Sequence, residues 1–192
     1  MINYTQRLDN AIKRTAWAHE QAKQHRKGTD TPYVIHSFGV MVIASNVTED
    51  EDILIACLMH DILEDVDSSI YGEREMRDNF GDRVVSIVKD ITKDAAEPDW
   101  HARAKAYLSH LENQASEEAV IVSSADKIHN LLSILDDYDT VGDELWELFT
   151  TKSSRDQLWW YESILNIIKV RKAPAKLIDQ LTGMVKELRK IS

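Results

Sequence analysis

Apolar residues recur at three- and four-residue spacing along most of the chain, which is the period of an α-helix rather than of a strand. In the N-terminal segment the residues that share one helical face are Leu8, Ile12, Ala16 and His19. Six glycines and three prolines in 192 residues are few turn-forming residues for a fold of many short strands. The pattern therefore predicts an all-α fold.

Caps and helix breakers divide this pattern into separate helices. Thr31-Pro32 is typical of a helix start with proline in the first position, and Thr48-Glu49-Asp50-Glu51 offers a cap and an acidic first turn for the next helix. Gly81 is expected to end a helix. After an N-terminal helix that ends in the basic stretch 24–28, helices are predicted over about 32–46, 51–65, 67–80, 82–92, 100–113, 117–136, 144–149, 154–170 and 175–191, with a loop over 93–98.

The composition is that of a globular protein, and its charge narrows the range of partners. Lysine and arginine number 23 against 33 aspartates and glutamates, which gives a net charge of -10 at pH 7. Affinity for nucleic acid and for anionic membranes comes from clustered basic residues, so we expect neither as a partner. A small phosphorylated ligand stays possible, because a bound metal and a few local cations can hold a phosphate.

The sequence has no pair of cysteines, no membrane-spanning run and no signal core, and these features bear on its compartment. Cys57 is the only cysteine, so no internal disulfide can form, and its apolar surroundings indicate a buried thiol. No apolar run approaches the ~18 residues of a membrane span, and the N-terminus has no apolar signal core. We expect a cytoplasmic protein with one domain over residues 1–192. The oligomeric state cannot be read from the sequence.

The most informative segment is His60-Asp61-Ile62-Leu63-Glu64-Asp65, which follows an apolar helical stem. On a continuous helix His60 would stack over Glu64 and Asp61 over Asp65. Burying so many ionisable groups is costly without compensation, and a divalent cation would supply it. A solvated helix end with an exposed histidine is the alternative.

His36 and Asp126 favour the metal interpretation. His36 is bracketed by apolar residues, and Asp126 follows the apolar stretch 120–125, so both side chains are expected to point inward. Aspartate is rarely buried without a partner. We therefore expect these two residues to lie near His60-Asp61.

The order His36, His60-Asp61, Asp126 resembles the H…HD…D pattern of the HD superfamily. The flanking segments are similar to the hydrolase domain of RelA/SpoT-type alarmone enzymes and their small stand-alone relatives. Those segments are Arg-Lys, Pro-Tyr and His within 26–36, His-Asp-Ile-Leu-Glu-Asp at 60–65, Asn-Phe-Gly at 79–81, Ile-Thr-Lys at 91–93 and Ala-Asp-Lys-Ile-His-Asn at 125–130. The likeness covers about residues 5–135, and helices over about 140–192 are expected to complete the pocket of one HD-domain bundle.

The resemblance implies a role for each matched position. The implied metal ligands are His36, His60, Asp61 and Asp126. This nitrogen and oxygen set suits a divalent ion with open water positions, such as Mn²⁺, better than a closed thiolate zinc site. Glu64 and Asp65 would orient or deprotonate the attacking water, although the same pair could be salt-bridged or capping residues.

The substrate contacts implied by the resemblance are Arg26, Lys27, Lys127 and Asn130. A basic helix end explains the first two equally simply, and ordinary polar satisfaction explains the last two. His129 is expected to be a structural hydrogen-bonding residue. The cluster Trp159-Trp160-Tyr161 is more typical of a core than of a base-stacking surface.

The implied activity is removal of the 3′-pyrophosphate from a ppGpp-like alarmone nucleotide by metal-activated water. Two departures leave the substrate open: Leu132 stands where the family often has arginine, and the chain from about 140 matches only loosely. The alternatives are an HD nucleotidase or phosphatase acting on another nucleotide, and a catalytically idle HD module that binds a nucleotide.

Overall fold

The computed structural model describes residues 2–94 and 96–192, and these residues form a helical bundle in which no strand is present. Met1 and Ala95, which belong to the predicted domain and the predicted 93–98 loop, lie outside the described residues. The helices are α1 (Gln6–Gln21), α2 (Val34–Ala44), α3 (Glu51–Met59), α4 (Ile62–Asp65), α5 (Glu73–Phe80), α6 (Asp82–Ile91), α7 (Trp100–Asn113), α8 (Glu117–Val141), a 3₁₀ helix (Gly142–Leu148), α9 (Ser154–Val170) and α10 (Ala175–Leu188). The all-α prediction is confirmed.

Helices α3 and α8 form the centre of the bundle. Every residue of α3 from Ile53 to Met59 is buried, as expected for a short helix that is apolar on all sides. Helix α3 packs against α1, α2, α6 and α8, whereas α8 also contacts α9, α10 and the 3₁₀ helix. The two central helices therefore connect the N-terminal and C-terminal parts of the described chain.

Several helix starts are capped by the residues that the sequence places there. The side chains of Asp99, Ser116 and Ser153 accept hydrogen bonds from backbone N–H groups two or three residues inside α7, α8 and α9, at 2.7 to 3.2 Å. Such caps satisfy donors that have no partner within the helix. These three helices begin at the predicted residues. Within the described chain no helix is both long and apolar enough to cross a membrane.

The predicted helix over 51–65 is wrong in one respect, because the helix breaks at His60-Asp61. Helix α3 ends at Met59 and α4 begins at Ile62. The His60 ring nitrogen Nδ1 lies 2.8 Å from the carbonyl oxygen of Cys57, the acceptor that a continuous helix would offer to the Asp61 N–H. The break turns the acidic pair that follows onto a separate short helix.

Other predicted boundaries also shift. Helix α2 begins at Val34 rather than at Pro32, because Pro32 forms an isolated antiparallel bridge with His25. Helix α5 begins at Glu73 rather than near 67, since the Asp67 side chain and carbonyl accept hydrogen bonds in a turn. Helix α8 runs on to Val141, and the helix predicted over 144–149 is a 3₁₀ helix that starts at Gly142.

Candidate active site

Three parts of the bundle bring the predicted metal donors together. His36 lies in the first turn of α2, His60 and Asp61 lie at the break between α3 and α4, and Asp126 lies in the middle of α8. His36 Nε2 is 3.1 Å from His60 Nε2 and 3.2 Å from Asp126 Oδ1. Among the described residues, His36, His60 and Asp126 form a buried group that could hold a metal ion.

Asp61 joins this group from its more exposed side. Its Oδ2 lies 2.8 Å from His60 Nε2 and 3.5 Å from His36 Nε2. The Tyr33 hydroxyl donates to the same oxygen at 2.5 Å, which holds the carboxylate in place. All four residues that the sequence predicts as donors therefore lie within one cluster.

The chemistry of the donors fits a divalent cation. A carbonyl oxygen can only accept, so the Cys57 carbonyl requires the proton of a neutral His60 to be on Nδ1, and Nε2 then presents a lone pair. An oxygen of Asp61 and an oxygen of Asp126 thus each lie within 4 Å of the Nε2 atoms of both His36 and His60, which are 3.1 Å apart. Such mixed nitrogen and oxygen donors are typical ligands of divalent metals.

Charge is concentrated in this cluster. Burial alone would lower the pKa of His60, but the negative charge of Asp61 and hydrogen bonds to Asp126 and Asp61 outweigh it and raise the pKa to about 10. Burial would also raise the pKa of Asp126, yet the Lys127 ammonium and the two histidines hold it well below its usual value. A proton and a metal ion therefore compete for the same nitrogen of His60.

Lys127 and Asn130 both bond to Asp126. The Lys127 ammonium is buried, pairs with Asp126 Oδ2, and lies 5.4 Å and 5.6 Å from the ring centroids of Tyr107 and Trp160. Asn130 Nδ2 donates to Asp126 Oδ1 at 2.5 Å. The two residues thus orient the carboxylate, and both also line the adjacent pocket.

Glu64 and Asp65 have different surroundings. Glu64 accepts hydrogen bonds from the backbone N–H of Lys93 at 3.1 Å and from its ammonium at 3.3 Å. Asp65 is an exposed residue at the pocket, where partial desolvation of its carboxyl group and the charges of Asp61 and Glu64 raise its pKa to about 7. Gln24 donates to the Asp65 carbonyl at 2.7 Å. Of the pair, Glu64 is salt-bridged and Asp65 faces the cavity.

A pocket of about 730 Å³ opens beside the cluster. Its lining includes His36, the basic residues His25, Arg26, Lys27, Lys93, Arg103, Lys127 and His129, and the acidic residues Asp65, Asp136 and Asp137. Arg26 Nη2 donates to Asn130 Oδ1 at 3.1 Å, and the Lys27 ammonium lies 5.0 Å from the Phe149 ring centroid. A concave, locally basic surface therefore stands in an otherwise acidic protein.

The aromatic cluster of α9 serves the core and the pocket together. Trp160 and Tyr161 are buried, as predicted, and both also line the pocket. Trp159 is partly buried, with its ring centroid 5.9 Å from that of Trp100. Packing within the core is sufficient to explain the aromatic side chains at these three positions.

Three residues of the site received no role from the sequence: Gln24, Tyr33 and Lys93. Tyr33 and Lys93 lie inside the segments 26–36 and 91–93 that carry the family resemblance, so a signal was present there. What the sequence did not reveal is their partners, Asp61 and Glu64, because those contacts join separate helices.

A family profile described as "HD domain" matches residues 14–158, which is most of the chain. The chain belongs to the HD domain family. A Drosophila melanogaster relative of this HD protein, named guanosine-3′,5′-bis(diphosphate) 3′-pyrophosphohydrolase MESH1, is 30% identical over 177 residues, covering 88% of this chain and 89% of the relative. The predicted family is confirmed.

Other relatives share the name but not the length. An Aquifex aeolicus guanosine-3′,5′-bis(diphosphate) 3′-pyrophosphohydrolase is 23% identical to this HD protein. The alignment covers 99% of the HD protein and 28% of the relative. The MESH1 of Danio rerio is 33% identical over 57% of this chain and 59% of its own length. The HD protein thus spans less than two thirds of either relative.

Solved structures show the same fold. One, reported as a metazoan ortholog of SpoT that hydrolyzes ppGpp, superposes with a TM-score of 0.79 at 22% identity, over 97% of this chain and 98% of its own. A Listeria monocytogenes structure gives a TM-score of 0.70 at 23% identity, over 81% and 99%. At such identities the likeness concerns the fold alone.

Proposed function

We propose that this HD protein is a metal-dependent phosphohydrolase that removes the 3′-pyrophosphate from ppGpp-like alarmone nucleotides. One observation carries the proposal: His36, His60 and Asp126 form a buried group, with Asp61 beside both histidines, at the edge of a basic pocket that Asp65 also lines. The activity stated in the names of the relatives supports the choice of substrate.

The proposed cofactor is one divalent ion, Mn²⁺, held by His36, His60, Asp61 and Asp126. The donor set is nitrogen and oxygen without thiolate, and Cys57, the only cysteine, is a buried free thiol. Such a set suits a hard ion that keeps water in its coordination sphere. When bound, the ion would polarise a phosphoryl oxygen and acidify a coordinated water.

Asp65 is the proposed proton acceptor for the attacking water. It lines the pocket four residues after the proposed ligand Asp61, and a positioned carboxylate is a common general base. Glu64 is proposed to orient the same water, while Lys93 holds its carboxylate at a fixed position. Gln24 fixes the backbone of Asp65 and thereby the direction of its side chain.

The proposed substrate contacts are Arg26, Lys27, Lys127 and Asn130. Arg26 suits bidentate phosphate contact, and its bond to Asn130, which in turn bonds Asp126, links the phosphate side of the pocket to the metal side. The role of Lys127 passes through Asp126, since its ammonium is already paired. Arg26 and Lys27 thus bring positive charge to the pocket of a protein whose net charge is -10.

We further propose that residues 1–192 act as one HD domain in the cytoplasm, with a small nucleotide and not nucleic acid as partner. Pocket residues come both from the motif-bearing part and from the C-terminal helices, including Phe149 and Tyr161, which supports a shared pocket. A simpler nucleotide is the second candidate, because Leu132, in place of the arginine common in the family, leaves an exposed apolar side chain two residues after Asn130.

The test is a phosphate- and pyrophosphate-release assay with added Mn²⁺ on ppGpp, its adenosine analogue and a panel of nucleoside mono- and triphosphates. The proposal predicts pyrophosphate from ppGpp that a chelator abolishes. Release only from simpler nucleotides would reject the alarmone substrate and keep the phosphohydrolase. No release from any substrate, with metal bound, would favour the nucleotide-binding module.

A further inference from the structure

The imidazole of His129 lies against the ring nitrogen of His36 that does not face the donor cluster. His36 is fully buried, and its Nδ1 is 2.9 Å from His129 Nδ1. The two rings meet edge to face, with centroids 4.8 Å apart and planes at 68°. His36 thus has one nitrogen on the proposed metal and the other on a second histidine.

This contact requires one proton between the two nitrogens. Metal coordination by His36 determines which of the two histidines carries that proton. Coordination through His36 Nε2 needs a lone pair on that atom, so a neutral His36 carries its proton on Nδ1. His129 Nδ1 must then accept, with its own proton on Nε2. His60 uses the Cys57 carbonyl for the same purpose, so each imidazole of the cluster has its own acceptor.

Gly39 provides the space in which the His129 ring lies. A Cβ built on Gly39 would come 2.0 Å from His129 Cδ2 and 2.2 Å from Nε2, distances that would force the His129 ring to move. Gly39 is inside α2, where glycine is unfavourable relative to alanine. The close approach of the ring supplies a physical reason for a glycine three residues after His36.

We infer that His129 is a positioning residue that fixes the tautomer and orientation of His36 for metal binding, and that Gly39 is required because it admits the His129 ring. The inference rests on the proposed metal site. It assigns His129 no contact with the substrate or the reacting atoms.

The first test compares His129→Leu with His129→Asn by titration calorimetry with Mn²⁺. Asparagine can place its amide oxygen near the position of Nδ1 and accept from His36, whereas leucine has the same branched shape without an acceptor. The Kd should rise by ~10- to 100-fold in His129→Leu and by clearly less in His129→Asn. Equal Kd values for the two variants, or wild-type affinity in His129→Leu, would overturn the inference.

The second test compares Gly39→Ala with Gly183→Ala, a helical glycine whose added Cβ would meet no atom within 4 Å. Gly39→Ala should weaken Mn²⁺ binding and lower the melting temperature, and Gly183→Ala should do neither. In a His129→Ala background the Gly39→Ala change should lose most of its effect, since the clash is gone. Equal behaviour of the two glycine variants would overturn the role given to Gly39.

His60→Ala separates failure of this inference from failure of the proposed site. Wild-type protein that binds no Mn²⁺, or His60→Ala that binds it unchanged, would reject the metal site itself. Mn²⁺ binding that is lost in His60→Ala but kept in His129→Leu would reject only the positioning role of His129.

Discussion

The donor cluster and the pocket wall beside it are held by different kinds of contact. In the cluster, His36, His60 and Asp126 are at most 5% exposed, and each has a polar partner within about 3.2 Å on another part of the fold. The wall includes basic, aromatic and apolar side chains from the 25–33 segment, α7, the 3₁₀ helix and α9, and some of them, such as Lys27 and Leu148, are exposed.

This difference indicates where change is tolerated. A buried polar network is stable only when every member is satisfied, so removal of one member disturbs the rest. An exposed basic side chain can be exchanged without leaving a buried charge unpaired. We therefore expect substitutions in the cluster to abolish the chemistry, and substitutions in the wall to alter substrate binding.

The largest expected effect is that of His60→Ala. The change removes a proposed ligand and leaves Asp61 without one of its closest partners, so Mn²⁺ affinity should fall by more than the ~100-fold typical of outer-shell changes. Activity should be lost with it. Calorimetry and the pyrophosphate assay measure both. His101→Ala, on the exposed surface of α7, is the matched control. Retained metal binding in His60→Ala would contradict the account.

The next effect concerns the acidic pair. Glu64→Gln combined with Asp65→Asn should abolish turnover and leave Mn²⁺ binding largely intact, because the two residues are assigned to the water. Asp65→Asn alone should lower kcat by ~10² to 10⁴-fold, as expected for loss of a general base. Glu64→Gln should cost less, since that carboxylate is already bonded to Lys93. A metal content that falls in step with activity would contradict this division of roles.

A wall substitution should change binding more than turnover. Arg26→Ala removes the proposed phosphate contact and the bond to Asn130, so KM should rise by ~10-fold or more while kcat changes much less. Steady-state kinetics on ppGpp measure both constants. Arg74→Ala, whose side chain is 89% exposed, is the control. A fall in kcat with KM unchanged would place Arg26 in the chemistry instead.

The smallest effect on the site is expected from Arg171→Met. The Arg171 guanidinium donates to the carbonyls of Leu111 at 2.6 Å and Ala115 at 2.7 Å, at the end of α7. Its loss should lower the free energy of unfolding by ~2 kcal/mol, the value typical of hydrogen bonds to a charged group. Urea unfolding measures this, with Lys190→Met as an exposed control. Mn²⁺ affinity should stay unchanged; a weaker affinity would show that the two regions are coupled.

Helix positions could be predicted wherever the local signal is a cap or a breaker. Asp99, Ser116 and Ser153 cap α7, α8 and α9, and Pro174 precedes α10, so these helices begin where the sequence places them. Residue type and order likewise predicted which four donors come together. The helix caps are visible within a few neighbouring residues, and the donors are visible through their match to a family pattern.

What could not be predicted depends on contacts between distant segments. The break at His60-Asp61 coincides with a side-chain bond to the Cys57 carbonyl, which periodicity does not reveal. The need for Gly39 arises from the His129 ring on another helix. The link between Tyr33 and Asp61 depends in the same way on how α2 approaches the break.

The central claim is that His36, His60, Asp61 and Asp126 bind one divalent ion at the edge of the pocket. The most direct measurement is an anomalous difference map from crystals grown with MnCl₂. The account predicts one strong peak within about 2.0 to 2.4 Å of His36 Nε2, His60 Nε2 and oxygens of both aspartates. A map with no peak at this position, or with a peak elsewhere only, would contradict it.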